Sequence, residues 1–286
     1  MIYFKNVTII GVGLIGGSIA KVMRAKGLAG RIVGAGRSRE TLEQALRLGV
    51  IDEMGQGMRH ASEQADLVVL ASPVAAFEYI VREIGPALKA GAIVTDVGSV
   101  KGALIGIVEN NIPAGVHFVP GHPIAGREKS GVAEASETLF QNKRCILTPT
   151  ARTDRSALES MRELWDAAGA IVSTMDADLH DRVFAAVSHL PHVAAFGMMT
   201  AVAELNTGTE GYLQFSGAGF RDFTRIAASS PEMWRDICLM NRPHLVEMID
   251  RYLRSLNRLK QDIESGDGKR LEKHLKEASD VRRGLE

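Results

Sequence analysis

One histidine stands on a short, tightly turned stretch in the middle of the sequence. The stretch is PGHPIAGREKSG, residues 120–131, and it places His122 between Gly121 and Pro123. An imidazole with an ordinary pKa near 6.5 can accept a proton while hydride leaves an alcohol carbon. Its stiff neighbours would limit movement of the ring. Ser99, after another predicted strand, could hydrogen-bond the ring and orient it. The stretch by itself fits a catalytic site and a plain surface turn alike, and the rest of the sequence favours the catalytic site.

A second candidate set lies on a long predicted helix in the second half of the chain. Asp181, Ala185, Ser188 and His192 recur at close to helical spacing. They predict a polar stripe with small residues on an otherwise apolar helix, which is typical of a cleft wall. We interpret His192 as a functional residue rather than a satisfied core histidine. His189 points to another side and is predicted to be a buried core residue.

Two arginines follow a glycine-rich turn in the segment SGAGFRDFTRIA. Arg221 and Arg225 are four residues apart, so one helical face would present both guanidinium groups. Such a pair is well suited to binding carboxylates. The alternative is a surface helix on which Asp222 pairs with Arg225. Trp234 is predicted to be a core residue.

The N-terminal region carries the glycine pattern of a dinucleotide-binding turn, Gly11-Val12-Gly13-Leu14-Ile15-Gly16, after a β-branched run. The first glycine permits the tight turn, the second lets a pyrophosphate approach the backbone, and the third lets helix and strand pack closely. The N-terminus of the following helix would offer unpaired N–H groups to the phosphates. The pair Ser72-Pro73 ends another predicted strand and is expected to face the same cofactor.

The end of the second predicted strand bears on the choice between NAD and NADP. NAD sites usually place a carboxylate there to bind the ribose 2′-hydroxyl. This chain has Gly36, Arg37 and Ser38 instead, with no carboxylate before Glu40. Guanidinium groups suit a 2′-phosphate. We predict NADP, although Arg37 could simply stack on the adenine and leave NAD usable.

These residues need a scaffold, and the sequence indicates an α/β domain followed by a helical one. Apolar runs such as 66–71 and 92–96 alternate with helical patterns, which predicts a Rossmann-like, doubly wound parallel sheet covered on both faces. Runs near 145–147 and 171–173 are expected to extend that sheet. Strand signals then stop, so we place the dinucleotide-binding domain at 1–174 and an all-helical domain at 175–286.

Composition limits the possible partners. The 286 residues carry 34 Lys and Arg against 34 Asp and Glu, so the net charge is zero. No excess positive charge indicates binding to nucleic acid or to acidic membranes. Cys145 and Cys238 form no metal-binding pattern, which favours a reducing cytoplasm and no metal. Residues 183–203 lack Asp, Glu, Lys and Arg. Their two histidines and proline favour a helix buried in a domain or dimer over a membrane span.

Taken together, five motifs resemble the prephenate dehydrogenase family, which includes arogenate and cyclohexadienyl dehydrogenases. GVGLIGGS, DVGSVK, GHPIAGREKSG, SHLPH and GFRDFTRIA occur in the family's order and span essentially the whole chain. The resemblance implies a nucleotide-binding domain, a helical domain that forms a homodimer, and NAD(P)-dependent oxidative decarboxylation on the route to tyrosine.

The resemblance also implies roles for individual residues. By position, His122 looks like the catalytic histidine that takes the hydrogen bond or proton of the ring hydroxyl, and Ser99 like the serine that supports it. Arg225 resembles the arginine that binds the ring carboxylate, and His192 a histidine that contacts substrate. Glu128 and Arg221 match positions that can pair as a gate at the pocket mouth.

Two departures from the family pattern affect what is expected. The missing acid at Gly36 distinguishes the chain from NAD-preferring members. The sequence also ends without room for the regulatory or mutase domain of some relatives, so any inhibition by tyrosine would act at the active site. Arg127 offers no negative charge to the ammonium of arogenate, which favours prephenate, unless Glu128 turns inward. A dual-specificity enzyme fits nearly as well.

Two other function classes share parts of the pattern. A 3-hydroxyacid or imine reductase would explain the fold, but those families usually rely on a lysine of the helical domain. A non-catalytic, redox-sensing dinucleotide-binding protein would leave the histidine and arginine clusters without a role.

Overall fold

The computed structural model describes residues 2–126, 129–205 and 211–285. Its largest sheet has six strands, all parallel, in the order β3-β2-β1-β4-β5-β6. The strands are β1 Phe4–Ile10, β2 Ala29–Ala35, β3 Glu53–Met54, β4 Leu67–Leu70, β5 Ile93–Asp96 and β6 His117–Val119. This order is that of a doubly wound dinucleotide-binding sheet, and the predicted fold class is confirmed.

Helices cover both faces of this sheet. They are α1 Leu14–Ala25, α2 Arg39–Arg47, α3 Met58–Ser62, α4 Phe77–Ile84, α5 Gly102–Glu109 and α6 Arg155–Ala167. Successive strand residues point to opposite faces, so Ile9 joins one apolar cluster with Trp165 of α6, and Ile10 joins a second with Phe77 of α4. The continuous apolar strands of the sequence are explained by this two-sided burial.

The later strands do not extend the main sheet, and that prediction was wrong. β7 Gly121–Pro123, β8 Arg144–Leu147 and β9 Ile171–Thr174 form a separate three-stranded sheet in the order β7-β8-β9. β7 runs antiparallel to β8, and His122 lies opposite Ile146. The histidine predicted to lie on a loop therefore belongs to a short strand, whose sheet partner restrains its backbone.

The chain is helical after β9. The helices are α7 Ala177–Phe184, α8 Leu190–Glu204, α9 Ala218–Thr224, α10 Pro231–Met240, α11 Arg242–Ser265 and α12 Gly268–Arg283. A π-helical turn, Ala185–His189, joins α7 to α8. Because this turn is wound more loosely than an α-helix, it shifts the faces of the two helices relative to each other. The stripe predicted from regular α-helical spacing is broken there.

The helical run Ala177–Glu204 has 28 residues and is long and apolar enough to cross a membrane by length and composition. Only 22% of its most apolar window is buried within the single chain. Val187 and Met198 are exposed. Packing within the single chain therefore does not bury this helix on most sides, and the expectation of burial in a dimer stays a prediction.

Candidate active site

A cradle for a dinucleotide lies where β1 turns into α1. Gly11 has a φ of +100°, and a Cβ there would sit 2.6 Å from the backbone of Ala71. A Cβ on Gly16 would sit 2.3 Å from the carbonyl oxygen of Gly11. At Gly13, by contrast, a Cβ would meet nothing within 4 Å. Gly11 and Gly16 are thus required for close packing, and Gly13 leaves its backbone open to a ligand.

The first turn of α1 adds a site for phosphate groups. Gly13 precedes the helix and supplies no side-chain cap, and the first turn, which includes Leu14 and Ile15, carries no acidic residue. Its N–H groups and the positive end of the helix dipole therefore favour an anion. These residues fit a dinucleotide pyrophosphate.

A cavity of about 510 Å³ continues from this turn along the carboxyl ends of β1, β2 and β4. It is lined by Gly11, Val12, Gly13, Ala35, Gly36, Arg37, Ser38, Thr41, Leu42, Met58, Ala71, Ser72, Pro73, Ala76, Tyr79 and Ile80. The structure brings together six of the nine predicted cofactor residues here, and Leu14, Ile15 and Gly16 lie in the helix that opens beside it.

The outer end of this cavity carries basic and hydroxyl groups. Arg37 is exposed, and none of the residues that the structure describes forms an ion pair with it. Ser38 caps α2 by accepting a hydrogen bond from the Thr41 N–H. No carboxylate occurs among the lining residues named above. Arg39 does not line the cavity and forms an ion pair with Glu43, with a distance of 2.8 Å between Nε and Oε1.

His122 lies on β7, directly after the carboxyl end of β6. Its side chain is buried, and its Nδ1 atom lies 2.9 Å from Nε2 of His180 on α7. Phe184 packs against both imidazoles, with ring centroids 4.7 Å from His122 and 4.5 Å from His180. Among the described residues, none hydrogen-bonds Nε2 of His122. The ring is therefore held on one side and available to a ligand on the other.

Burial lowers the pKa of His122 well below its ordinary value, and the nearby His180, Lys101 and His189 lower it further. Burial also lowers the pKa of His180, although the hydrogen bond to Asp181 opposes that shift. Both rings are consequently neutral at pH 7. A neutral imidazole carries one N–H and one lone pair, so His122 can act as a hydrogen-bond or proton acceptor.

A buried ion pair fixes the backbone just before His122. The Lys101 side chain donates to the Asp96 carboxylate, and its Nζ atom also donates to the Gly121 carbonyl oxygen at 2.6 Å. Asp96 accepts a hydrogen bond from the Gly121 N–H at 3.1 Å. Both side chains of the pair are fully buried. Gly121 is thus held through its N–H and its carbonyl, which positions β7.

Asp181 does not line the predicted polar stripe. Its carboxylate accepts hydrogen bonds from the backbone N–H groups of Lys101 and Gly102, both at 2.8 Å, and lies 2.9 Å from Nδ1 of His180. The side chain faces the loop between β5 and α5 because α7 packs against α5 there. The prediction of a cleft-wall role for Asp181 was wrong.

His192 lies on α8 beside Trp234 of α10. The two rings stack with centroids 3.7 Å apart, and Nδ1 of His192 donates to the Ser188 carbonyl oxygen at 2.9 Å. Burial lowers the pKa of His192, and the positive charge of Arg225 lowers it further. Nε2 of His192 is therefore a lone-pair acceptor, close enough to Arg225 to feel its charge. Trp234 is buried, as predicted.

The remaining predicted residues have different settings. His189 is fully buried as predicted, with Nδ1 3.1 Å from Nδ2 of Asn241. Arg221 is exposed on α9 and donates to Ser216 at 3.2 Å. Arg225 begins a 3₁₀ turn after α9 rather than continuing that helix. Glu128 and its neighbour Arg127 lie outside the described residues.

The orienting role assigned to Ser99 stays a prediction. Nδ1 of His122 is engaged by His180, and no hydrogen bond joins Ser99 to the ring among the described residues. Ser99 is partly buried in the loop that also carries Lys101. It remains close in sequence to the ion pair that positions β7.

Sequence reasoning assigned no role to three residues of this site, namely His180, Lys101 and Asp96. Lys101 and Asp96 flank the loop that contains Ser99, but nothing in their spacing indicates that both are buried. The His180-Asp181 dipeptide before an apolar run was the available signal for His180. In the parts of the chain described here, no three His, Cys, Asp or Glu side chains are grouped to hold a metal.

Comparisons with known proteins agree with this architecture. Residues 19–174 match the family model described as prephenate dehydrogenase, nucleotide-binding domain, and residues 176–277 match prephenate dehydrogenase, dimerization domain. The cyclohexadienyl dehydrogenase of Zymomonas mobilis is 37% identical over 100% of this chain and 97% of its own length. The prephenate dehydrogenase of Bacillus subtilis is 36% identical over 98% of this chain and 76% of its own length.

A solved structure is similar over almost the full chain. The Aquifex aeolicus prephenate dehydrogenase, in complex with hydroxyphenyl propionate and NAD+, superposes with a TM-score of 0.94 and 41% identity, covering 99% of this chain and 98% of that one. The two family models together match residues 19–174 and 176–277, which is most of the chain. The chain belongs to the prephenate/arogenate dehydrogenase family of oxidoreductases.

Proposed function

We propose that the protein catalyses the NAD(P)-dependent oxidative decarboxylation of prephenate to 4-hydroxyphenylpyruvate. The observation that carries the proposal is the neutral, buried His122, with one ring nitrogen held and the other available, at the same sheet edge as the dinucleotide cradle. Hydroxyphenyl propionate, present in the Aquifex aeolicus structure, combines a phenol with a carboxylate and so resembles the proposed product.

The proposed chemistry needs one acceptor for the ring hydroxyl. A nicotinamide dinucleotide held by the Gly11–Gly16 turn would supply the acceptor for the hydride of the hydroxyl-bearing carbon. Nε2 of His122 accepts the hydrogen bond of the substrate hydroxyl. It then holds the hydroxyl proton as positive charge develops on the substrate ring. The electron pair of the C–CO₂ bond enters the ring, carbon dioxide leaves, and the aromatic product recovers the proton. Aromatisation drives the release, so this proposal assigns no metal.

Binding of substrate carboxylates is assigned to the helical half. Arg225 is proposed to bind the ring carboxylate, because a guanidinium can form two parallel hydrogen bonds to it. His192 is proposed to contact substrate through Nε2, since its Nδ1 is committed to Ser188. Ser99 is retained as a candidate contact for substrate or cofactor. Arg221 and Glu128 are proposed as a gate at the pocket mouth.

The family itself accommodates more than one substrate, so the preference is part of the proposal. Arogenate carries an ammonium group where prephenate carries a keto group. Around His122, the carboxylate of Asp96 is already paired with Lys101. That of Asp181 is already bound by two backbone N–H groups and His180, so neither carboxylate offers an unpaired negative charge to an ammonium. We therefore favour prephenate, with arogenate or dual specificity as the alternative.

A direct assay tests this function. Purified protein with prephenate and NADP or NAD is expected to produce reduced nicotinamide, seen as an increase in its absorbance. Arogenate is expected to be turned over with lower kcat/KM. If the protein binds a cofactor but reduces it with neither substrate, the proposal is wrong.

The cofactor preference is proposed to be NADP. Arg37 and the hydroxyl groups of Ser38 and Thr41 line the end of the cavity where a 2′-phosphate would lie. A Cβ on Gly36 would meet only the Gly11 backbone nitrogen, at 3.8 Å, so the position has room for a side chain. NAD, which is bound in the Aquifex aeolicus structure, remains the alternative.

Two substitutions test the role of Arg37. Arg37→Ala is expected to raise the KM for NADP by about 10- to 100-fold and to leave NAD nearly unaffected, because only NADP loses a charged hydrogen bond. Gly36→Asp is expected to reverse the preference, since a carboxylate repels the phosphate and accepts from a ribose hydroxyl. Steady-state kinetics with each cofactor measures both effects.

Arg39→Ala is the matched control, because Arg39 already pairs with Glu43 outside the cavity. It is expected to change neither KM. An equal loss of NAD and NADP binding in Arg37→Ala would indicate adenine stacking instead and would contradict the proposed preference.

We further propose that residues 1–174 and 175–286 are separate domains and that the second forms a cytoplasmic homodimer. The match to a dimerization domain supports this arrangement. So does the apolar surface of the helical half, where Val187, Leu253 and Ile263 are exposed in the single chain. A dimer would cover this surface without a membrane.

A further inference from the structure

A row of hydrogen-bonded groups leads from the loop after β5 to His122. It begins at Asp181, whose Oδ1 accepts from the Lys101 N–H and whose Oδ2 accepts from the Gly102 N–H, both at 2.8 Å. Burial raises the pKa of Asp181, but the hydrogen bonds from His180 and from these two N–H groups outweigh it and keep the pKa below its ordinary value. Asp181 is therefore an ionised carboxylate, which can only accept.

That restriction fixes the proton on His180. Nδ1 of His180 lies 2.9 Å from Oδ1 of Asp181 and must be the donor of this hydrogen bond. Because the His180 ring is neutral, its Nε2 atom then carries the lone pair. His180 is fully buried, so no solvent competes for either nitrogen.

The same reasoning extends one ring further. Nε2 of His180 lies 2.9 Å from Nδ1 of His122, and a lone pair on the first requires an N–H on the second. The proton of neutral His122 is thus on Nδ1 and the lone pair is on Nε2. Phe184 packs on both rings and restricts their rotation, and Asn241 donates to the Asp181 backbone carbonyl at 2.7 Å.

We propose that Asp181 and His180 are positioning residues that hold His122 as its Nδ1–H tautomer, so that Nε2 accepts the hydrogen bond or proton of the substrate hydroxyl. This inference rests on the proposed function and assigns to it two residues that act through His122.

The row also stabilises charge during the reaction. As Nε2 of His122 takes up the hydroxyl proton, the ring becomes an imidazolium, and its Nδ1–H bond to His180 strengthens. The carboxylate of Asp181, at the far side of His180, offsets the positive charge without taking the proton itself. Lys101 and His189 also act on His122 and disfavour this charge, and Asp96 neutralises Lys101. Asp181, by contrast, is linked to His122 through the hydrogen bonds of His180 and so favours the charge on His122.

A pair of substitutions at His180 tests the proposal. His180→Phe keeps a flat aromatic side chain but removes both ring nitrogens, so it is expected to lower kcat by about 10²-fold with little change in the KM for substrate. His180→Gln places an amide oxygen where it can accept from Nδ1 of His122. It is expected to recover most of the lost kcat.

Two readouts separate positioning from a purely structural role. The pH profile of kcat/KM is expected to change in His180→Phe and to return towards the wild-type profile in His180→Gln. Denaturant unfolding of both variants checks that the fold persists. A kcat within about threefold of wild type in His180→Phe, or no recovery in His180→Gln, would overturn the proposal.

A third readout does not depend on turnover. Nitrogen-15 NMR of histidine-labelled protein distinguishes the two neutral tautomers of each ring. His122 and His180 are both expected as Nδ1–H tautomers at neutral pH, with the His122→Asn and His180→Gln variants assigning the signals. A proton on Nε2 of His122 would refute the inference. Absence of turnover in the wild-type protein, by contrast, would refute the proposed function and leave the tautomer result to decide this inference.

Discussion

Replacing His122 with asparagine is expected to lower kcat by about 10²–10⁴-fold while leaving the KM for substrate largely unchanged. The substitution removes the Nε2 acceptor but leaves the carboxylate contacts assigned to Arg225. Steady-state kinetics with prephenate and each cofactor measures the effect. The fold is expected to persist, because an asparagine side chain occupies less space than the imidazole and β7 keeps its pairing with β8.

The same substitution should remove a feature of the pH dependence. Only neutral His122 accepts a proton, and its pKa is held well below the ordinary value of about 6.5. Wild-type kcat/KM is therefore expected to persist as the pH falls through about 6.5 and to decline only below it. The residual activity of His122→Asn is expected to lack that decline.

His117→Asn is the matched control for this experiment. His117 lies on the neighbouring strand β6, away from the proposed site, and its replacement is expected to leave kcat unchanged. Near-normal turnover in His122→Asn would contradict the role assigned to His122, whatever the pH profile.

Replacing Lys101 with methionine is expected to lower the free energy of unfolding by about 3–5 kcal/mol. The side chain lies fully buried, and its loss leaves the Asp96 carboxylate without a counter-charge in a site that water does not reach. The Gly121 carbonyl also loses its donor. Denaturant unfolding at neutral pH measures the change, with the slope checked for two-state behaviour.

An exposed ion pair in the same domain provides the comparison. Lys89 pairs with Asp66 at 2.5 Å, and both side chains are about one third exposed. Lys89→Met is expected to cost less than about 1 kcal/mol, because solvent screens that pair. A similar, small loss in both variants would show that the Lys101–Asp96 pair contributes no more than a surface contact.

Lys101→Met is also expected to lower kcat, because the Lys101–Asp96 pair holds the backbone of β7. The pair contacts Gly121 through both its N–H and its carbonyl, so losing it frees the residue before His122. The Lys101→Met/Asp96→Asn double variant removes the unpaired charge as well. It is expected to unfold at a higher denaturant concentration than Lys101→Met alone, with His122 still poorly held and kcat still reduced.

The sequence alone determined the features that depend on neighbouring residues. Apolar strands alternating with helices predicted the doubly wound sheet, and the spacing of Gly11, Gly13 and Gly16 predicted the cofactor turn, whose tight packing the structure confirms. The loss of strand signals after Thr174 indicated the helical half. Such patterns are local, because strand and helix periodicity and glycine geometry are set within a few residues.

The tertiary structure decided what depends on residues far apart in the chain. The strand near 145 pairs with β7 and the strand near 171 pairs with β8, rather than either joining the main sheet, and their apolar pattern is the same in either case. His122 and His180 are 58 residues apart, and Asp181 meets Lys101 across 80. Which nitrogen of a histidine carries the proton, and whether a lysine is buried with its carboxylate, depends on groups brought together only by folding. No spacing along the chain encodes those partners.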